Sequence, residues 1–391
     1  MTNEEFILLN RGADTSSLAL KRAPDGVDLK YCLEQIKSRK KAERKLPDWA
    51  AVDGLVFPPL LSMEQCSSQF TAQYKRELLE RVFDGGSRLA MVDLTAGFGV
   101  DFSYIAPLFE CPVYVERQER LCSIAMNNMP LLGLERAKVC CTDGVEYLRD
   151  MEPVDLVFMD PARRDDVGRK TVLLEDCTPD VTALLPHLCA KARYVLLKLS
   201  PMLDIRSTLR KLPHVKEVHV VSVDGECREL LLLMEVGYEG DAVYYCMNLG
   251  GRNESFSVAE SALGAPRIAA SMEAYLYEPN ASVLKAGVQD SLCGTFDVAK
   301  LHPNSNLFTA SARQEGFPGR EFRVLACHDF SKHSLKALFS QARQANLTVR
   351  NFPATVEQLR KKLKLKEGGA MYLFATTLAD GSHALVQCEK V

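Results

Sequence analysis

Seven short, largely apolar runs recur between residues 89 and 236, and the first five each lead to a charged residue. Residues 89–92 lead to Asp93, 112–115 to Glu116, 138–142 to Asp143, 155–159 to Asp160 and 194–197 to Lys198. Runs of this length bounded by turn residues predict buried strands, and the segments between them are long enough for helices. That alternation predicts an open α/β sheet. The last two runs, 215–223 and 228–236, flank Asp224-Gly225, the composition of a tight hairpin.

The flanking sequence reads differently. Residues 1–85 predict helices. One spans 28–45, with Leu29, Leu33 and Ile36 on its apolar side, a basic face at Lys37, Arg39, Lys40, Lys41, Arg44 and Lys45, and a stop at Pro47. After Pro58-Pro59, Ser62-Met-Glu-Gln65 reads as a capping box for a helix with Phe70, Tyr74 and Leu78 on one face. Residues 237–320 are less regular, with strands at 242–247 and 255–258 around Gly250-Gly251, a helix at 281–288 and an irregular or extended stretch at 301–310. Residues 321–391 alternate again: strand 322–326, helix 334–345, strand 347–351, helix 356–362, and strands 372–377 and 384–388. This predicts four segments, 1–85, 86–236, 237–320 and 321–391, the last a small α+β module.

The candidate chemistry lies in the first two sheet strands. Asp93-Leu-Thr-Ala-Gly-Phe-Gly99 is a strand end, a glycine turn and the start of a helix, a layout that holds nucleotide-like ligands. Gly97 and Gly99 let the backbone approach a ligand closely. Glu116, nineteen residues after Gly97, stands where an acid binds ribose hydroxyls. Phe102 occupies the third glycine position of the dinucleotide fingerprint, which argues against NAD and FAD and favours a nucleoside with little negative charge.

Composition narrows the class. The 391 residues are 47% apolar and 25% charged, the balance of a soluble globular protein, and a net charge of −3 supplies no global basic field. Any nucleic-acid contact must come from local patches. Thirteen scattered cysteines with no C-x-x-C pair predict reduced thiols in a cytoplasm, no metal site and no disulfide framework. No apolar run is long enough to cross a membrane.

Residues 86–236 resemble the class I S-adenosylmethionine (SAM)-dependent methyltransferases, a Rossmann-like seven-stranded sheet whose last strand is antiparallel. The resemblance implies cofactor contacts from Asp93, Thr95, Gly97, Gly99, Asp101, Glu116 and Asp143, with Asp101 toward the methionine amino group or simply starting the helix. Asp160-Pro-Ala-Arg163 resembles the fourth motif, which lies beside the target base in nucleic-acid methyltransferases. The whole chain resembles bacterial methyltransferases with a ferredoxin-like segment and a C-terminal THUMP-like domain, on Tyr277-Glu-Pro-Asn280, Leu284-Lys-Ala-Gly287, Leu301-His-Pro-Asn-Ser305 and Leu359-Arg-Lys-Lys-Leu-Lys-Leu-Lys366. THUMP domains bind RNA in tRNA-modifying enzymes, so the resemblance implies an RNA substrate, tRNA or rRNA.

Asp160 is then expected to accept a hydrogen bond from the acceptor nitrogen, Pro161 to shape the turn, and Arg163 or Arg164 to hold a phosphate. Asp-Pro-Ala-Arg also occurs in uracil-5-methyltransferases, but Ser200 stands where their nucleophilic cysteine belongs, and a serine without an activating base is a poor nucleophile. Nitrogen or oxygen is therefore the expected acceptor. Lys198 is read either as facing the pocket or as solvated. RNA contact is expected through Lys37–Lys45 and Arg360–Lys366. Open alternatives are a DNA or small-molecule methyltransferase, with DNA disfavoured because no aromatic follows the Asp-Pro motif, and a non-catalytic SAM- or RNA-binding protein. Target nucleotide, modified atom and oligomeric state are not encoded in these patterns.

Overall fold

The computed structural model describes the chain from residue 1 to 391 except residues 87, 164–172, 332, 336–337 and 339–343, together with the side chain of Arg163. Its strands divide between two compact units, Met1–Glu217 with Glu229–Gly240, and Val218–Arg228 with Asp241–Val391.

In the first unit, β1 (Ala90–Asp93), β2 (Cys111–Glu116), β3 (Lys138–Cys141), β4 (Val154–Met159) and β5 (Ala192–Leu199) pair in parallel. β6 (Val215–Val223), which belongs to the second unit from Val218 on, precedes β7 (Glu226–Glu235), and β7 runs antiparallel to β5 with Tyr194 opposite Glu235. Within this unit the strand order is β3-β2-β1-β4-β5-β7. The chain steps outward from β1 to β3 and then returns to the other side of β1 at β4. That reversal opens a crevice at the carboxyl ends of β1 and β4, where open α/β sheets take their ligands. Leu156, Val157, Phe158 and Met159 are at most 1% exposed, so β4 is buried on both faces and reads as a continuous apolar run.

The N-terminal helices are built into this unit. The Leu29–Lys45 helix starts at Asp28, whose carboxylate accepts from Tyr31 N (3.1 Å), and Leu46 behind it is buried. Leu46, Trp49, Phe57, Met63 and Ala72 share one apolar cluster with Phe98, Val100, Leu121 and Ile124 of the sheet domain. The capping-box expectation is corrected here. Ser62 lies inside the short Leu60–Gln65 helix, and the next helix, Gln69–Val82, is capped instead by Ser68, which accepts from Thr71 N. Phe70 is 53% exposed, because the buried stripe runs through Thr71, Tyr74, Lys75 and Leu78 and leaves Phe70 to one side.

In the second unit, β8 (Val243–Leu249) and β9 (Glu254–Ala259) form an antiparallel pair, as expected. A separate seven-stranded sheet follows: β10 (Tyr275–Pro279), β11 (Ala299–Lys300), β12 (Phe308–Ala310), β13 (Gly319–Asp329), β14 (Asn346–Val349), β15 (Tyr372–Thr377) and β16 (His383–Lys390). Its order is β11-β12-β10-β13-β16-β15-β14. The Val356–Leu363 helix starts at a Thr355–Gln358 capping box. The helix expected over residues 334–345 falls largely outside the described residues.

Two glycines are required, one by its left-handed backbone and one by contact. Gly99 has φ +85°, and a Cβ there would lie 2.8 Å from Met129 Cε. At Gly144 a Cβ would lie 2.1 Å from the Leu94 carbonyl oxygen, so the start of the Gly144–Asp150 helix packs directly on the backbone after β1. Gly144→Ala should therefore cost on the order of 1–3 kcal/mol by overpacking. Gly12→Ala, where the Cβ meets nothing within 4 Å, should cost much less. Urea unfolding of both variants checks the contrast.

Candidate active site

The glycine turn is held from two sides. Gly97 N donates to Glu116 Oε2 (3.0 Å), and Tyr114 Oη donates to the Gly97 carbonyl. Glu116 also accepts from Gln118 N through Oε1 (2.8 Å) and is 8% exposed. Asp93 is 1% exposed and accepts from Thr95 N (3.0 Å), and its burial pushes its carboxyl well above the usual range. Thr95 Oγ1 accepts from Asp160 N (2.6 Å), which ties the ends of β1 and β4 together. Asp143 caps the following helix through Val145 N (2.8 Å) and Glu146 N (3.3 Å). Six of the seven expected cofactor residues thus lie at or just beyond the carboxyl ends of β1, β2 and β3; the seventh, Asp101, opens a different network.

Asp101 accepts from Ser67 Oγ (2.7 Å) and lies 3.0 Å from Lys75 Nζ and 3.1 Å from Lys198 Nζ. Lys75, wholly buried, also meets Glu229 (2.5 Å), and Glu229 Oε1 lies 3.1 Å from Ser67 Oγ, whose single proton serves one carboxylate at a time. Lys198 reaches on to Asp160 Oδ2 (2.6 Å). The result is a continuous chain of ion pairs from the Gln69–Val82 helix to the end of β4. Burial alone would raise the Asp101 carboxyl, but Lys198, Lys75 and the Ser67 hydroxyl outweigh it and hold it below the usual range. Burial would likewise lower the Lys198 ammonium, yet Asp101, Asp160 and Glu229 hold it above ordinary lysine. Lys198 thus faces the site and is not solvated: its side chain is 11% exposed.

Asp160 itself is more open, with a side chain 39% exposed, and Pro161 behind it is buried. Ala162–Arg163 pairs as a two-residue strand with Cys177–Thr178, while the Arg163 side chain and all of Arg164 lie outside the described residues. Ser200 Oγ accepts from Met202 N (3.2 Å), a turn contact. Among the described residues no His/Cys/Asp/Glu group has metal-ligand geometry, and all thirteen cysteines are unbridged.

Lys75, Ser67 and Glu229 are the site residues that sequence reading missed. For Lys75 and Glu229 the signal was a charge on an otherwise apolar face: Lys75 between Ala72 and Leu78, and Glu229 directly before Leu230–Leu233; Ser67 carries no such signal. The basic stretch at Lys37–Lys45 is also less of a face than expected. Arg39 is buried, donating to the carbonyls of Ala50 (2.5 Å) and Val52 (3.3 Å), and Lys45 donates to those of Met63 (3.0 Å) and Glu64 (2.7 Å). Lys37, Lys40 and Arg44 stay exposed, as do Lys361, Lys362, Lys364 and Lys366.

Strand order, turn and strand-end acids together define a class I methyltransferase fold. A scan of family models matches residues 275–318 to a ferredoxin-like domain and residues 319–390 to a THUMP domain-like model. The crystal structure of a "putative methyltransferase" from Porphyromonas gingivalis W83 is similar over the full length, at 32% identity and TM-score 0.88, covering 100% of this chain and 97% of that one. The chain belongs to this bacterial family of class I methyltransferases with a ferredoxin-like segment and a THUMP-like C-terminal domain. A "putative RNA methyltransferase", PH1948 from Pyrococcus horikoshii, matches at 14% identity and TM-score 0.34, over 52% of this chain and 98% of that one. A methyltransferase from Geobacter sulfurreducens matches at 14% and 0.33, over 46% and 85%. Scores this low bear on neither fold nor function. Curated protein sequences yield no match. Among the described residues, no helix is long and apolar enough to cross a membrane.

Lys75→Met would leave the buried Glu229 without its lysine and Asp101 with Lys198 alone, a change that costs about 3–5 kcal/mol in buried pairs. In the parent, the lowered Asp101 carboxyl contributes stability that is full above the unfolded aspartate value of about 4 and is lost as pH falls below it. In the variant the unpaired Glu229 gains stability on protonation. The gap between the two proteins should therefore narrow as pH falls from 7 to 5. Denaturant unfolding across that range measures it, and a constant gap would remove Lys75 from the electrostatics.

Proposed function

We propose that the protein is a SAM-dependent methyltransferase acting on a base nitrogen in structured RNA, tRNA or rRNA. The observation that carries the cofactor half is the charge of the buried chain at the switch-point crevice. It has two ammonium groups, Lys75 and Lys198, against three carboxylates, Asp101, Glu229 and Asp160, leaving one negative charge over. A sulfonium cofactor with one ammonium and one carboxylate carries a net positive charge and complements that surplus. A dinucleotide diphosphate would be repelled by it. Phe102, fully buried at the third glycine position, also leaves no cradle for a diphosphate.

Glu116 would take the ribose hydroxyls, Asp143 the adenine amino group, and Gly97 and Gly99 a close backbone approach, with Asp93 and Thr95 fixing the turn. Asp101 would face the methionine ammonium while its lysine partners hold it ionised. When bound, SAM supplies an electrophilic methyl group on sulfur. The protein's task is alignment and electrostatics. Asp160 would accept a hydrogen bond from the acceptor N–H and steer the nitrogen lone pair, Pro161 would fix the backbone at that turn, and Lys198 would favour the charged form of Asp160. Arg163 remains the expected phosphate contact. The RNA half rests on the THUMP-like domain and on the exposed lysines at 361–366.

The test is label transfer from radioactive SAM into RNA from a strain lacking the gene. Asp160→Asn should lower kcat on the order of 100-fold, the scale for losing one positioned acid–base or electrostatic group, with cofactor affinity little changed. Enclosure by protein pushes the Asp160 carboxyl up, partly offset by Lys198, so the acid limb of the kcat–pH profile should lie above the ordinary aspartate value and vanish in Asp160→Asn. Label entering DNA or a metabolite extract but not RNA would replace the substrate assignment. Absence of SAM binding would remove the enzyme reading.

A further inference from the structure

The motifs at Tyr277–Asn280 and Leu301–Ser305 both lie in the second unit, where the seven-stranded sheet gathers them. Glu278 on β10 is 5% exposed, and both of its oxygens are engaged by arginines. Arg320, on the neighbouring strand β13, approaches Oε2 through Nε (2.8 Å) and Nη2, and its guanidinium lies over the buried rings of Phe322 (5.5 Å) and Phe374 (5.9 Å). Arg350, just past β14, places Nη2 2.7 Å from Oε1 and donates from Nη1 to the Val349 carbonyl (2.9 Å). The next residue, Asn351, adopts φ +50° and binds His302 Nδ1 through its side-chain nitrogen (3.1 Å). Asn304 N also donates to that Nδ1 (3.0 Å), so in the neutral ring the proton sits on Nε2. Glu278 and His302 belong to the ferredoxin-like segment, and Arg320, Arg350 and Asn351 to the THUMP-like one.

A single arginine is enough to neutralise a buried carboxylate. Here two guanidinium groups share one, so the triad keeps a positive charge, and each arginine side chain is 44% exposed. Their geometry is set in advance by the carboxylate, the aromatic rings and the Val349 carbonyl, which removes the entropy cost that makes exposed arginines weak binders. We propose that Arg320 and Arg350, with His302 tied to them through Asn351, form a phosphate-binding site for the RNA backbone, built by the ferredoxin-like and THUMP-like segments together. Bidentate recognition of a phosphate is the chemistry that a fixed, half-exposed guanidinium pair suits best. The exposed lysines at 361–366 in the same unit extend the match to a polyanion. The site deepens the RNA reading and rests on it.

The experiment measures affinity of the full-length protein for bulk bacterial tRNA and, separately, rRNA across a salt series, with SAM affinity as the fold control. The Arg320→Gln/Arg350→Gln pair should bind about tenfold or more weakly, with a log–log salt slope shallower by about 1 to 2, as expected when phosphate contacts are lost. SAM affinity should stay at the parent value. Should that pair lose SAM affinity through misfolding, Arg320→Lys/Arg350→Lys decides: it keeps both charges beside Glu278 but lacks the planar fork, and should still bind RNA several-fold more weakly. Parent-like RNA affinity and slope in a folded variant would overturn the site and leave the RNA reading standing. A parent protein that binds neither RNA would overturn both.

Discussion

A lysine with no exposed surface, held between two carboxylates, is the constraint around which the first unit is organised. Lys75 comes from a helix before the sheet, Asp101 from the helix after β1, and Glu229 from the last strand. None of the three charges is tolerable inside alone. Their mutual satisfaction fixes where the N-terminal helix sits against the sheet and how far Asp101 projects toward the crevice. The apolar contacts around it follow the same docking, since Trp49 meets Phe98 edge-on at 4.9 Å between the two glycines of the turn. The N-terminal helices thus pack against the glycine turn after β1 as well as covering the sheet.

Backbone geometry does the remaining positioning. The turn after β1 is pinned by a side chain from β2, since Glu116 accepts from Gly97, and it pins β4 in return, since Thr95 accepts from Asp160. Carboxylates already engaged with backbone N–H groups keep a fixed direction before any ligand arrives. Preorganisation of this kind is what makes a short hydrogen-bonding group effective in a crevice.

The parallel core was legible because its central strands are buried on both faces and each run ends abruptly at a charge. Asp93, Glu116, Asp143 and Asp160 were found by that rule, and the hairpin by Asp224 and Gly225, which adopt φ +51° and +79°. Pairing across 100 residues or more was not legible. Nothing in the order of residues near Lys75 says that Glu229 will face it, because that contact depends on how helix and sheet stack. Capping failed for a related reason: two serines six residues apart, Ser62 and Ser68, offer competing helix starts, and burial of Met63 at 0% and of Lys75 selects between them.

Charge counting along a helix is the least transferable of these readings. In 29–45 the basic residues look equivalent in sequence, yet Arg39 and Lys45 spend their donors on backbone carbonyls left open by the short helices that follow. They act as structural caps, and only part of the apparent positive face reaches solvent. Arg320 and Arg350 invert the lesson. They lie 30 residues apart in unremarkable surroundings, with no local cluster to draw notice. A buried glutamate on a third strand brings them together and orients both. Where positive charge is displayed on this protein is therefore decided less by the density of lysine and arginine than by which carboxylates and carbonyls the fold buries beside them.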